Sequence, residues 1–356
     1  METLLVTGGA GFVGTHISCD IAARHPDWKV IAMDNLRRRG SELNLERLRS
    51  AGVRFMHGDL RNPSDLPDLA EGPGVIIDCA AEPSVFLEHD GNPKYLIESN
   101  LIGTYNCLEY ARRRKSSIIF ISTSRTYPMA RLESLPLLES GSRFDLPEKF
   151  KDAGISYNGV SEKTEMEGAR SLYGCTKLCS ELLLREYASS YGLKFIINRC
   201  AAITGPGQMG KVEQGVFALW VAAHYFKTPL RYMGFGGKGK QVRDFLHVYD
   251  LVDLIDLQIQ RIADLSGEIF NIGGGRPNSL SLTELTGLCR KITKNTIPVN
   301  NMPKDRPDDI KWYISDVSKT SSMCRWAPKL GAEEMARGIL KWLQDNEELL
   351  KPIFTE

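Results

Sequence analysis

Leu4-Leu5-Val6-Thr7-Gly8-Gly9-Ala10-Gly11-Phe12-Val13-Gly14 is the stretch whose reading decides the fold. A clean apolar strand runs into a glycine turn, and the turn opens a helical pattern over residues 12–24. In that strand–turn–helix context each glycine has a task. Gly8 permits the tight turn, Gly11 lets a pyrophosphate approach the backbone, and Gly14 lets the helix pack closely on the strand. The first helical N–H groups, from Phe12 and Val13 onward, lack intrahelical partners and face an anion. The spacing is G-x-x-G-x-x-G rather than the G-x-G-x-x-G of the commonest dinucleotide dehydrogenases.

Outward from this turn, strand-like apolar runs recur at 29–33, 53–56, 75–79, 117–122 and 194–198. Helical patterns lie between them, for example over 43–50 and 95–113. Alternating strands and helices predict an α/β fold, a doubly wound parallel sheet of Rossmann type with right-handed crossovers. Ligands of such sheets bind at the carboxyl ends of the strands, where strand order reverses. Beyond residue 198 the pattern loosens into glycine-rich loops (205–209 and 233–239), helical stretches at 250–260, 282–292 and 332–344, and a proline-marked loop at 302–307. The expected division is a nucleotide domain of residues 1–200 plus about 240–276, with a smaller interleaved lobe of about 201–239 plus 277–356 closing over the sheet. The polar, weakly periodic stretch 127–169 is expected to be a lid, a substrate loop or an oligomer contact.

Composition sets bounds on function. With 45 basic and 44 acidic residues the chain has no charge excess for a nucleic-acid face. Arg37-Arg38-Arg39 and Arg112-Arg113-Arg114-Lys115 are too short to change that. The eight cysteines form no CxxC pair and no ligand-like cluster with histidine, so neither a disulfide framework nor a metal site is expected. Cys175 is read as structural despite its neighbours. The apolar run 215–226 is too short to span a bilayer and reads as a buried or interface helix. A cytoplasmic protein without a signal peptide, and a homo-oligomer (dimer or tetramer), are expected.

Asp34 ends the second strand about twenty residues beyond Gly14, where a carboxylate holds the adenosine ribose hydroxyls and repels a 2′-phosphate. That favours NAD over NADP, although Arg37–Arg39 nearby are residues of the kind that accept such a phosphate. Asn35 follows Asp34. Asp59-Leu60, closing the third strand, suits adenine, with a helix cap as the alternative role of Asp59. Ala80-Ala81 leaves small side chains beside the cofactor's path. At the chemical end, Ser122-Thr123-Ser124 closes the fifth strand with three hydroxyls, one of which can orient a substrate alcohol. Tyr173 is the single tyrosine of twelve followed four residues later by lysine, Lys177. On a helix the two share a face, and an ammonium beside a phenol favours the phenolate needed to exchange a hydroxyl proton.

With Gly8, Gly11, Gly14, Asp34, Thr123, Tyr173 and Lys177 together, the chain resembles an extended short-chain dehydrogenase/reductase of the NAD-dependent epimerase/dehydratase family, whose members act on nucleotide sugars. The resemblance covers nearly the whole chain, including Asn100 in Glu-Ser-Asn-Leu-Ile-Gly-Thr, Arg243-Asp244-Phe-Leu-His-Val and Arg306-Pro307-Asp308. It implies NAD as cofactor, Asn100 beside it, and Thr123 as the hydroxyl partner of Tyr173 and Lys177, with Ser124 next in line. Further motifs, Asp34-Asn-Leu-Arg-Arg-Arg-Gly-Ser, Ser124-Arg-Thr-Tyr-Pro and Thr204-Gly-Pro-Gly-Gln-Met-Gly-Lys-Val-Glu-Gln-Gly-Val-Phe, resemble a subgroup that epimerises CDP-sugars at C2. Ala201-Ala202 stands where many relatives carry an Asn-containing motif.

The subgroup implies oxidation at C2 and re-reduction from the other face, with NAD retained between turnovers. Ser124, Arg125, Gln208, Gln214, Arg243 and Arg306 are the candidate substrate contacts, the last two as pyrophosphate anchors. His89, His224 and His247 are read as structural. The alternatives are another epimerase, a dehydratase or a reductase of the same superfamily, acting for example on CDP-glucose or a UDP-sugar, and a nucleotide sensor without chemistry. Ser124-Arg125 in place of the acidic pair that follows a dehydratase's threonine argues against dehydration. The intact Thr123, Tyr173 and Lys177 argue against a sensor.

Overall fold

The computed structural model describes residues 2–69, 72–83, 92–211 and 214–355. His89 and the Val212-Glu213 step of the 204–217 motif lie outside the described residues. The chain forms two compact units, Met1–Thr126 with Leu172–Arg199 and Leu251–Phe270, and Tyr127–Ser171 with Cys200–Asp250 and Asn271–Glu356.

The first unit is organised by a seven-stranded sheet. Its strands are β1 (Thr3–Thr7), β2 (Lys29–Asp34), β3 (Arg54–His57), β4 (Val75–Asp78), β5 (Ser117–Thr123), β6 (Phe195–Cys200) and β7 (Ile269–Ile272), the last running across the unit boundary. They are ordered β7-β6-β5-β4-β1-β2-β3. The register is parallel, with Leu4 beside both Val30 and Val75. Leu4, Leu5 and Val6 are all fully buried, which is why this strand reads as an unbroken apolar run: helices cover both sheet faces. Strand order reverses between β1 and β4, so the crevice predicted for a ligand lies at their carboxyl ends.

Helix α1 (Phe12–Arg24) follows β1, α2 (Asn44–Ser50) precedes β3, α3 (Gly103–Arg114) precedes β5 and α4 (Leu172–Tyr191) precedes β6. The single helix expected over 95–113 is divided. Lys94–Ile97 is α-helical, Glu98–Ile102 is a wider π-turn, and α3 begins only at Gly103. Asn100 sits in the π-turn, and its carbonyl accepts from the hydroxyls of Thr104 (2.8 Å) and Ser180 (3.2 Å). A sequence periodicity cannot register such a one-residue widening.

In the second unit, Ala202–Thr204, Val242–His247, Ser279–Ser281 and Trp312–Tyr313 form a four-stranded sheet. Helices α5 (Val216–Phe226), α7 (Leu282–Thr293), α8 (Ala332–Asp345) and α9 (Glu347–Thr355) share one core through Trp220, Leu285, Ile339 and Leu350. Helix α6 (Val248–Gln260) crosses the unit boundary. The apolar run 215–226 is thus a buried helix.

The stretch 127–169 belongs to this unit's core: Tyr127, Leu132, Leu146, Ile155 and Val160 pack with Val242, Trp312 and Tyr313. Asn271 fastens it, accepting from the Tyr127 hydroxyl at 2.8 Å and donating to the Val160 carbonyl at 2.7 Å. The expected division had counted this segment with the nucleotide domain; its partners are distant in sequence, so no local pattern announces them.

Candidate active site

The glycine turn meets the loop after β4 at the reversal point. Gly8 has φ +62°, and a Cβ there would lie 2.9 Å from the Ala80 backbone. A Cβ at Gly14 would lie 2.2 Å from the Gly8 carbonyl oxygen, so helix and turn pack with no room for a side chain. Asp78, buried at the end of β4, ties the crevice together: it accepts from the hydroxyls of Thr7 (2.7 Å) and Thr104 (3.2 Å). Sequence reading passed over Asp78, because a carboxylate within an apolar run carries no motif.

No side chain caps α1, whose first turn holds no acidic residue. Its amino terminus is therefore open to an anion such as phosphate. Asp34 accepts from the N–H groups of Ala10 (3.1 Å) and Leu36 (2.8 Å), which aims its carboxylate back toward the glycine turn. Burial pushes its pKa up, against these N–H bonds that pull it down. Asn35 donates to Asp59 at 2.9 Å. Arg61, with Asn35, holds the Asp59 carboxyl down to about 2. Asp59 is not a helix cap; the short helix that follows is capped by Asn62. The Leu60 side chain is in the core, so any role for it toward a cofactor falls to its backbone. An uncapped helix end, a cradle that a Cβ would fill, and a carboxylate at the β2 tip together fit an adenine dinucleotide with a free ribose 2′-hydroxyl.

Across the reversal point, Thr123 ends β5 and a 3-10 turn, Ser124–Thr126, follows at once. The Arg125 N–H donates to Thr123 Oγ1 at 3.2 Å. The first turn of α4 packs on this turn: a Cβ at Gly174 would stand 2.1 Å from the Arg125 carbonyl oxygen. Tyr173, next to that glycine, is half-buried, and Lys177 is 1% exposed. The Lys177 Nζ lies 3.9 Å from the centroid of the Phe120 ring, a cation–π contact in an otherwise apolar setting. Asn100 reaches the same helix, donating to Thr176 Oγ1 at 3.2 Å, while its side chain also grips the Glu82 backbone N–H (2.7 Å) and C=O (3.1 Å). Thr123, Ser124, Arg125, Asn100, Tyr173 and Lys177 thus belong to one unit and one set of packed turns.

One turn beyond Lys177, Glu181 forms a buried ion pair with Arg199 of β6 (2.6 Å) and accepts from Ser122 Oγ (2.5 Å). Glu181 stands in no motif of the sequence, whereas Arg199 stands in Asn198-Arg-Cys, a stretch that resembles the C2-epimerase subgroup. The available signal was their position: Glu181 repeats the four-residue step of Tyr173 and Lys177, and a charged residue interrupts the apolar run of β6.

The remaining candidates lie in the second unit. Arg243 donates to Asp309 Oδ1 (2.8 Å) and Arg306 approaches Asp309 Oδ2 (3.4 Å), so the two guanidinium groups converge on one carboxylate. Gln208 is drawn into its own loop: its Oε1 accepts from Thr204 Oγ1 and its Nε2 donates to the Ile203 carbonyl, both at 2.9 Å. Gln214 Oε1 is buried without a hydrogen-bond partner among the described residues. His247 accepts from the Tyr249 N–H, and burial lowers its pKa to about 4. His224 donates to the Trp220 carbonyl at 2.8 Å and is likewise pushed down by burial. Both are buried neutral rings.

A sheet that reverses order beside a glycine turn, with Tyr173 and Lys177 on a helix packed against the end of β5, defines an extended short-chain dehydrogenase/reductase. The chain belongs to the NAD dependent epimerase/dehydratase family, whose profile matches residues 4–273. Among proteins of assigned activity it is similar to the CDP-paratose 2-epimerase of Salmonella typhi, with 31% identity over 95% of this chain and 98% of that one. It is also similar to a dTDP-glucose 4,6-dehydratase of Mycobacterium tuberculosis, with 29% identity over 98% and 96% of the two chains. Among solved structures, a dTDP-glucose 4,6-dehydratase from Streptomyces venezuelae with NAD bound superposes with a TM-score of 0.78 at 28% identity, covering 99% of this chain and all of that one. The chain is accordingly an enzyme of a family of NAD-dependent nucleotide-sugar epimerases and dehydratases. Among the described residues no helix is long and apolar enough to cross a membrane.

Proposed function

We propose that this enzyme inverts C2 of a CDP-linked sugar, of the CDP-paratose to CDP-tyvelose type. The observation that carries the reading is the packing of the first turn of α4 on the turn after β5, which gathers Tyr173, Lys177 and Thr123 in the unit that holds the glycine turn. The similarity to a CDP-paratose 2-epimerase supports the choice of sugar. So does Ser124-Arg125, which leaves no carboxylate after Thr123 to assist a dehydration.

The chemistry of the sugar narrows the route. Paratose is a 3,6-dideoxy sugar, so no C3 hydroxyl exists to be oxidised, and a C4 ketone is not adjacent to C2. Neither acidifies the C2 hydrogen, and oxidation at C2 itself remains. Bound NAD supplies the acceptor and donor of the electron pair that such an inversion needs. Gly8, Gly11, Phe12, Val13 and Gly14 hold its pyrophosphate, and Asp34 its ribose. Asn35, Asp59, Leu60, Ala80, Ala81 and Asn100 line its course. The Tyr173 phenolate takes the proton of the C2 hydroxyl and returns one after the 2-keto sugar has turned its other face. Lys177 stabilises that phenolate, and Thr123 donates to the C2 oxygen. Arg243 and Arg306 bind the diphosphate in exchange for their shared Asp309.

CDP-paratose deuterated at C2 tests this. Retention of the label at C2 of CDP-tyvelose is expected, whereas loss to solvent would mean proton abstraction and end the proposal. A panel of CDP-, UDP- and dTDP-sugars, scored for inversion at C2 or C4 and for dehydration, separates the reading from the other activities of the family.

A further inference from the structure

Arg37 stands three residues beyond Asp34, just past the β2 tip where a dinucleotide's adenosine ribose is received. An arginine so placed ordinarily draws a ribose 2′-phosphate, because guanidinium matches phosphate in geometry and charge. In this protein its head group is held by an aromatic ring. The guanidinium carbon of Arg37 lies 3.8 Å from the centroid of Tyr95, a half-buried residue on the Lys94–Ile97 helix. Asn35 braces both partners: its Oδ1 accepts from the Arg37 N–H at 3.1 Å, and its Nδ2 donates to the Tyr95 hydroxyl at 3.4 Å.

A second guanidinium, that of Arg61, lies 4.7 Å from the same ring. The two cations differ in their anchoring. Arg61 is clamped onto the Asp59 carboxylate, with its closest contact at 2.7 Å, so its charge is already matched. Arg37 meets the face of a ring instead, and among the described residues no carboxylate clamps it in that way.

We propose that Tyr95 is a coenzyme-specificity residue, whose ring retains the Arg37 guanidinium and so withholds it from a ribose 2′-phosphate. Asp34 supplies the repulsion of that phosphate, and Tyr95 removes the cation that would offset it. The site is thereby biased to NAD by two residues from separate parts of the chain.

The test reads bound nucleotide and is independent of the sugar chemistry proposed above. The full chain is incubated with equal excesses of NAD and NADP until the bound ratio is constant, freed of unbound nucleotide and denatured, and the released nucleotides are quantified. Tyr95→Phe keeps the ring and should keep the ratio. Tyr95→Leu should raise the share of NADP relative to NAD about tenfold, the ratio to which a cation–π contact of ordinary strength corresponds. Adding Arg37→Ala to Tyr95→Leu should reverse that gain. An unchanged ratio in Tyr95→Leu, or a shift in Tyr95→Phe as large as in Tyr95→Leu, overturns the proposal. Arg37→Ala alone provides a check that needs no change at Tyr95: it should leave the ratio where it is, and a fall in the NADP share would show that Arg37 already reaches the phosphate.

Discussion

Lys177 shows how much a single residue's role depends on what surrounds it. Its four-residue step from Tyr173 is visible in the sequence, but its near-complete burial over Phe120 is not. A buried ammonium needs compensation, and the face of Phe120 contributes to it. Under the proposed mechanism Tyr173→Phe should reduce turnover by about 10²–10⁴-fold, the range expected for removing a positioned acid–base group. The amount of NAD released per chain on denaturation should not change. Turnover near that of the unaltered protein would remove Tyr173 from its assigned role. Gln208 illustrates the opposite outcome, since a glutamine in a glycine-rich loop looks available for a ligand until its two amide ends are found bonded to Thr204 and Ile203.

At the scale of elements, the approach of α4 to β5 and β6 controls the site. Gly174 sets the distance at one end, where any side chain meets the Arg125 carbonyl. Gly174→Ala should cost about 1–3 kcal/mol, as overpacking does. Because the strain falls between Tyr173 and Thr123, turnover should drop with it; a urea midpoint and an initial-rate assay on the same preparation check both. At the other end the Glu181–Arg199 pair, each side chain less than 5% exposed, joins α4 to β6. Arg199→Met leaves a buried carboxylate without its partner and should cost about 3–5 kcal/mol. The double variant Glu181→Leu/Arg199→Met should recover most of that loss, since desolvating two charges offsets much of their mutual attraction. A double variant destabilised by the sum of the two single substitutions would mean that the pair is not coupled. The sequence foretold α4, β5 and β6 as elements, because each has its own periodicity. It did not foretell the glycine contact or the ion pair, which join residues 49 and 18 positions apart.

At the scale of the molecule, two buried groups in the second unit give opposing pH dependences. Asp244 is fully enclosed, and burial raises its pKa from 3.8 to about 6 despite N–H donors such as that of Gly275. Burial lowers His247 from 6.5 to about 4. Between pH 3.8 and 6 the folded state binds more protons at Asp244 than the unfolded chain does, so this residue makes stability fall as pH rises. Between pH 4 and 6.5 the unfolded chain binds more protons at His247, so this residue makes stability rise with pH. The two nearly cancel in the shared window. Asp244→Asn should therefore make stability climb more steeply from pH 4 to 6, as read from urea midpoints across that range. A slope equal to that of the unaltered protein would show that Asp244 does not titrate there.

The sequence by itself determined the class of fold, the glycine turn with Asp34 at the next strand tip, and the Tyr173–Lys177 step. All of these are local: they follow from the side-chain periods of strand and helix and from the dihedral freedom of Gly8. Tertiary structure alone decided that 127–171 joins the second core, that Asn100 sits in a π-turn gripping Glu82 and α4, and that Arg37 rests on Tyr95. Each of those depends on groups brought together from distant positions by the closing of a core. Burial and charge pairing act there between residues whose order along the chain carries no trace of their meeting.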